Sequence, residues 1–386
     1  MMLAFLLARM GVDVWVLEKH ADFLRDFRGD TVHPSTLEVM YELGLLSEFL
    51  ERRHDEVREL FGEIGREKVR VADFSHLPTR CRFIALMPQW DFLHFLAEKA
   101  RKYPTFHLAM ETAVTDLVLE GERVAGVQAK TKNGGLEIRA DLVIGADGRH
   151  SVVRERAGLP VLDIGAPMDV LWMRLSRCPD DPDESFGHFE MGRILVLINR
   201  RSYWQCGLVI AKGTLDAIKQ RGIEAFRRNL VALAPFAHDR VAELRSWDDI
   251  SLLSVKVDRL ERWYREGLLC IGDAAHAMSP IGGVGINLAI QDAVAAANIL
   301  DVKLKQGKFA LADLQAIQKR REFPTRATQR LQVMAQNRVI RRVLGENRPL
   351  HVPWPLRLLD RFPPLRRIPG RVIGMGFRPE HVRTGL

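Results

Sequence analysis

The stretch Gly267–Leu300, GLLCIGDAAHAMSPIGGVGINLAIQDAVAAANIL, organises the chain. Leu268 to Ile271 reads as a short buried strand, followed by a Gly-Asp turn, a Pro/Gly-rich loop and an alanine-rich helix. Such a strand delivers Asp273 to the carboxyl end of a sheet, where open α/β folds place ligands. A short carboxylate at that point suits a sugar-like chain of hydroxyls. Pro280 and the glycines Gly282, Gly283 and Gly285 let the backbone approach a flat ligand closely. Asn287 and Leu288 are expected to open the helix, so that unpaired amides and the positive dipole end face that ligand. A site of this kind stabilises negative charge on a ring. The plain alternative is a strand–turn–helix packed on alanine; the ordered run of Gly, Asp, Pro and Gly-x-Asn argues for a ligand.

A second run, Arg139–Leu159 (RADLVIGADGRHSVVRERAGL), repeats the theme. A buried strand over Leu142 to Ala146 ends in Asp147-Gly148, and Ser151 can cap the helix that follows. Gly148 permits a tight turn, while Arg149 and Arg154 offer charge for phosphate. Nearer the start, Met1–Met10 reads as the latter part of a buried helix ended by Gly11. Val12 to Leu17 is then a buried parallel strand. Glu18 stands at its carboxyl end, where dinucleotide-binding βαβ units use an acidic residue to bond ribose hydroxyls.

GDAAHAMSPIGGVGINLAIQDA resembles the second flavin-binding motif of the para-hydroxybenzoate hydroxylase-like FAD-dependent aromatic monooxygenases. The resemblance implies that Asp273 holds the ribityl chain of FAD and that Pro280, Gly282, Gly285, Ile286 and Asn287 lie beside the isoalloxazine ring. It implies FAD and NAD(P)H roles for Asp147 and Gly148, phosphate contact for Arg28, flavin contact for Gln89 and adenine contact for Val114. It also implies the reaction: NADPH or NADH reduces FAD, oxygen adds at the flavin C4a position, and one oxygen atom passes to an electron-rich ring. No residue stands out as a base; His276 lies near the motif, but a buried structural histidine is the expectation. The family's dinucleotide unit opens with a strand and a G-x-G-x-x-G turn that cradles pyrophosphate. This chain starts inside the following helix, and a truncated or mis-started reading frame is expected.

The rest of the chain fits an α/β protein: a Rossmann-like FAD-binding domain, an inserted α+β substrate domain of mostly antiparallel sheet, and a helical C-terminal region. The expected divisions are residues 1–160 and 266–305 for FAD, 161–265 for substrate, and 306–386 for the helical region and a Pro/Arg-rich tail. At 386 residues the chain is long enough for two interlocked cores. Ser35, with Glu38 as capping-box partner, is expected to start a helix at Thr36. Thr214 to Leu233 reads as one long helix, and Trp172, Phe186, Phe189, Tyr203 and Trp204 as pocket lining or, more simply, core. A hydrophobic share of 47% and a charged share of 27% are those of a soluble globular protein. Cys81, Cys178, Cys206 and Cys270 lack metal or disulfide spacing and suit a reducing cytoplasm. A net charge of +8 without basic blocks interleaved with aromatics argues against nucleic acid and accords with phosphate-bearing cofactors. No internal repeat and no transmembrane span is read. The expected protein is a cytoplasmic monomer or homodimer acting on a small aromatic or hydrophobic molecule. Its tail is expected to cap the pocket rather than touch a membrane. The rival readings are a flavin-dependent quinone hydroxylase or reductase at a membrane surface, and a non-enzymatic flavin-fold remnant. A flavin-dependent halogenase is disfavoured because Trp-x-Trp-x-Ile-Pro is missing.

Overall fold

The structure, a computed structural model, describes residues 1–24, 31–65, 67–190, 192–345 and 350–383. Helix α1 (Met2–Arg9) leads into strand β1 (Val14–Leu17). Every residue from Met2 to Ala8 is buried, as an apolar helix must be on all sides. Strand β2 (Thr31–Val32), helix α2 (Pro34–Glu42), strands β3 (Glu59–Ile64) and β4 (Glu67–Asp73), helix α3 (Gln89–Ala100) and strand β5 (Phe106–Ala109) follow. An antiparallel meander (Ala113–Glu120, Arg123–Thr131, Gly134–Arg139) precedes strand β6 (Val143–Gly145) and helix α4 (Val152–Arg156).

The middle of the chain supplies strands β7 (Met168–Ser176), β8 (Phe186–Glu190), β9 (Arg193–Asn199) and β10 (Tyr203–Ala211). Helices α5 (Leu215–Gln220) and α6 (Ile223–Leu233), then strand β11 (Ser251–Leu253), complete it. The single helix expected over this region is two, because Gly222 has a φ of 82° and breaks the ladder. These strands form a seven-stranded sheet in the order β11-β7-β10-β9-β8-β3-β4. The sheet therefore recruits β3 and β4 from far upstream, with β8 and β3 its parallel pair. Trp204 and Leu208 of β10 and Leu195 of β9 pack one face against Phe226, Leu230 and Leu233 of α6.

Strand β12 (Leu268–Cys270) runs parallel to β6, with Val143 opposite Leu268 and Gly145 opposite Cys270. β1 and β5 form a separate parallel ladder. Helix α7 (Gly285–Lys305) spans 21 residues and packs between α1 and helix α8 (Leu311–Ala335). Ala293, Ala295, Ala296 and Ala297 are buried, and their small side chains allow that close packing. By length and composition residues 281–305 could cross a membrane, yet 61% of the apolar window is buried inside the protein.

The tail folds into helices α9 (Trp354–Arg361) and α10 (Pro363–Met375). Its prolines divide it, so no long amphipathic helix forms. α10 lies on β4, where a Cβ on Gly370 would come within 2.1 Å of the Asp73 carbonyl oxygen. The expected capping box at Ser35 is absent: α2 starts at Pro34 with no side-chain cap. Glu38 accepts a hydrogen bond from the Arg80 amide instead, at 3.0 Å.

Candidate active site

The Gly272–Ala274 turn carries Asp273 beyond the end of β12. A buried polar network fixes that turn from behind. Asp292, in α7, accepts from the Gly272 amide at 3.1 Å and pairs with the His276 Nε2 at 2.6 Å. The Arg321 guanidinium, in α8, donates to the same carboxylate at 2.9 Å and reaches Glu380 at 3.3 Å. Burial pushes the Asp292 carboxyl up, but His276 and Arg321 outweigh it and hold it below its ordinary range. His276 is 1% exposed, and its ring bonds a carboxylate within this network. It braces the turn and does not face the open side of the site. Sequence reasoning missed Asp292 and Arg321. The available signal was the one charged side chain within the apolar run Leu288–Leu300, since buried charges require partners.

The Pro280–Val284 loop holds Gly282 and Gly283 at φ values of 76° and 61°. A Cβ on Gly283 would lie 2.2 Å from the Thr31 Oγ1, which itself donates to the Gly283 carbonyl at 2.8 Å. Helix α7 then starts at Gly285, two residues before the expected position, and no side chain caps it. Its first amides lack intrahelical acceptors, and its positive dipole end is open. Ile286 is half-buried and packs towards the main core. The side chain of Asn287 turns inward. Its Oδ1 accepts from the His33 amide and the Thr36 hydroxyl, each at 2.8 Å. Its Nδ2 donates to the carbonyls of Thr31 at 2.9 Å and Gly283 at 3.2 Å. Every polar position of the amide is used. Asn287 therefore clamps the loop to β2 and α2.

His33 is a second element of this clamp. It is 1% exposed, and its Nδ1 lies 2.8 Å from the Ile373 carbonyl oxygen of α10. Burial pushes its pKa down to about 4.

On the opposite flank, Asp147 accepts from the Ser151 hydroxyl and from the Val153 amide, the latter at 3.1 Å. Ser151 caps α4 through the Arg154 amide at 3.0 Å. Gly148 has a φ of 86°. The two arginines of this motif part company. Arg149 reaches towards the open site, with its Nη2 3.7 Å from Asp273. Arg154 is internal and pairs with Asp258 at 3.4 Å, so it is not placed for the phosphate contact expected of it. Glu18 ends β1; its amide donates to Ala109 and its carbonyl accepts from Thr112, both at 2.9 Å. Val114 is half-buried on the meander and Gln89 half-buried at the start of α3. Arg28 lies outside the described residues. Trp172 and Phe189 stand on the sheet face towards Ile281 of the flavin-type loop. Trp204 and Phe186 point to the opposite face and are core. No cluster of metal-ligating side chains occurs among the described residues, and burial pushes the thiols of Cys206 and Cys270 up to about 12.

The residues fit a flavin on the chemistry of their donors: an uncapped helix end and a flanking carboxylate, Asp273, whose Oδ1 is 3.9 Å from the Cβ position of Gly285. The family described as FAD binding domain matches residues 1–331. The chain belongs to the FAD-dependent aromatic monooxygenases. It is 34% identical to a 6-methylpretetramide 4-monooxygenase of Streptomyces rimosus, over 100% of this chain and 91% of that protein. A rifampicin monooxygenase of Streptomyces venezuelae is 26% identical over 76% of this chain and 60% of its own length. Among solved structures, the p-nitrophenol 4-monooxygenase PnpA of Pseudomonas putida superposes with a TM-score of 0.78 at 19% identity. That match covers 98% of this chain and 95% of the other, and it supports the fold. FAD is the cofactor and NAD(P)H the reductant of this monooxygenase.

Proposed function

We propose that this monooxygenase hydroxylates a planar aromatic small molecule of several rings, held between the seven-stranded sheet and the Pro280–Val284 loop. The observation that carries the reading is the convergence of Asp273, the Gly282–Gly283 turn and the uncapped first turn of α7 at one open edge. A named relative acting on a polycyclic substrate supports the ring count. FAD, when bound, supplies the two-electron chemistry that takes reducing equivalents from NAD(P)H and passes one oxygen atom of O2 to the ring.

The chain's own residues do the rest. Asp273 would hold the ribityl chain of the bound FAD through its hydroxyls. The first amides of α7, from Gly285 and Ile286, would face the flavin ring, and the α7 dipole would favour negative charge on it. Pro280 and Gly282 shape the loop beside that ring, and Asn287 holds the loop in register. Glu18 and Val114 serve the adenosine end, Gln89 the flavin side chain, and Asp147 with Gly148 the turn that positions Arg149. Residues 1–160 apart from β3 and β4, with 266–305, form the flavin part, and 161–265 together with β3 and β4 the substrate part. The apolar Trp172–Phe189 face excludes water from the reacting ring.

The protein acts in the cytoplasm, as a monomer or homodimer. The tail docks on β4 through Gly370 and on Glu59 through Arg366 at 3.3 Å, which supports capping over membrane attachment. Trp354 and Ile368, at 76% and 64% exposed, are the side chains a membrane reading would use. Co-sedimentation with anionic vesicles that disappears on Trp354→Ser would reverse that choice. The function itself is tested by FAD-loaded turnover: an aromatic phenol accelerates NAD(P)H oxidation and yields a product heavier by one oxygen atom. Oxidation that no phenol accelerates contradicts it.

A further inference from the structure

The register of the seven-stranded sheet aligns one transverse row. Trp172 of β7 pairs with Gly207 of β10, Gly207 with Val196 of β9, Val196 with Gly187 of β8, and Gly187 with Gly62 of β3. Side chains alternate between faces along a strand. Leu171, Met173, Leu195, Leu197, Cys206 and Leu208 all pack under α6, so the intervening row faces the other way. On that face Trp172 and Phe189 share an apolar cluster with Ile281, from the loop proposed to lie beside the flavin, and with Val343 and Leu344 from the segment after α8. Both rings are half-buried, with surface still open.

Three of the row's residues have no side chain, and two rings occupy the space. A Cβ on Gly207 would lie 2.8 Å from the Trp172 Cζ3 and 3.0 Å from its Cη2. A Cβ on Gly187 would lie 3.1 Å from the Phe189 Cε2, and one on Gly62 3.3 Å from the same atom. Each ring therefore reclines on a glycine in place of standing up from the sheet. Glycine inside a strand weakens it and marks a place where something approaches the backbone closely. Here the thing that approaches is the protein's own aromatic ring. From Gly207 to Gly62 the row crosses three strand spacings, about 14 Å, which is longer than one benzene ring needs. Upright rings would project further from the sheet towards Ile281; reclining rings keep that face low.

We propose that Gly207, Gly187 and Gly62 determine specificity in this site. They hold Trp172 and Phe189 flat against the sheet, so that the gap below the Ile281 loop accepts a planar, fused-ring aromatic face-on. Offset stacking on flat rings rewards extended π-surfaces over single rings. The inference rests on the aromatic monooxygenase reading given above and assigns that site its shape selectivity.

The test uses the full chain loaded with FAD, and two probes: anthrol, with fused rings, and phenol. The readout is the ratio of their dissociation constants by equilibrium fluorescence titration. In Gly207→Ala the ratio moves at least tenfold against anthrol, because the new methyl lifts the indole into the gap. In a Trp172→Ala background the same glycine substitution moves the ratio less than twofold, since no ring remains to lift. FAD affinity reports whether each variant is folded. If Gly207→Ala does not fold, Trp172→Leu is read in its place and loses the preference for anthrol. A ratio unchanged in Gly207→Ala, or shifted equally with and without Trp172, overturns the proposal. Wild-type protein that binds neither probe and whose NAD(P)H oxidation neither accelerates overturns the monooxygenase reading as well. Phenol-stimulated turnover with a flat ratio across the variants overturns the slot alone.

Discussion

The edge formed by Asp273 and α7, proposed to hold the flavin, and the seven-stranded sheet, proposed to cover the substrate, are built by opposite means. At the Asp273 edge, position is set by buried polar side chains: Asp292, Arg321, His276, Asn287 and His33 are all less than 5% exposed. They pin the turn that carries Asp273 and the Pro280–Val284 loop. In the seven-stranded sheet, shape comes from side chains that are missing. Three glycines in one row give their space to two rings. Buried polar groups are costly when their partners are lost, whereas an aromatic ring at a half-open surface can be altered at lower cost. Mutations at the Asp273 edge should therefore act on stability, and those in the sheet on selectivity.

The sharpest break of this comparison is Asp292→Ala. It leaves Arg321 and the Gly272 amide without their shared acceptor and is expected to cost about 3–5 kcal/mol, read as a drop in urea midpoint at neutral pH. A loss below 1 kcal/mol, about the value of an exposed pair, would mean that the network is not what fixes the turn.

Next in size is a pH effect. The folded-state pKa of His33 is about 4, below the unfolded value of 6.5. Between those values the unfolded chain binds more protons, so stability falls as pH drops through 6.5 towards 4. The full effect reaches about 3 kcal/mol. His33→Gln should flatten the slope of unfolding free energy between pH 7 and 5; an unchanged slope would place the proton elsewhere.

Asn287→Ala is expected to destabilise by about 2 kcal/mol, because it strands buried donors and acceptors on β2 and α2. It should also weaken FAD binding by loosening the Gly282–Gly283 loop. Retention of full FAD affinity would show that backbone strain, not the clamp, sets the loop. At the small end, Phe189→Leu in the sheet should change stability by only about 1 kcal/mol while altering the anthrol-to-phenol ratio. The reverse pattern, large destabilisation with unchanged selectivity, would erase the distinction between the two regions.

The same contrast explains what was legible in the sequence. Asp273, Pro280 and the glycines fall in order within a dozen residues, so local chemistry exposed that edge of the site. Asp147, Ser151 and α4 were legible for the same reason. The pairing of Asp292 with Arg321 was not, because it joins two helices across 29 positions. Asn287 was legible as a motif residue but not as an inward clamp, since its partners Thr31, His33 and Thr36 lie more than 250 positions away. The glycine row required strand register. β3 joins β8 in parallel from 125 positions upstream, and nothing local announces it. Gly222 was visible throughout, but only its positive φ turns a tolerated glycine into a helix break.

The most direct measurement is a visible-absorption titration of the purified chain with FAD, run beside Asp273→Ala. The account predicts a saturable shift of the flavin bands in the wild type, and affinity weakened at least tenfold in Asp273→Ala with the fold intact by circular dichroism. No shift at saturating FAD, or equal affinity in both proteins, would contradict the claim that the edge formed by Asp273 and α7 is the flavin site.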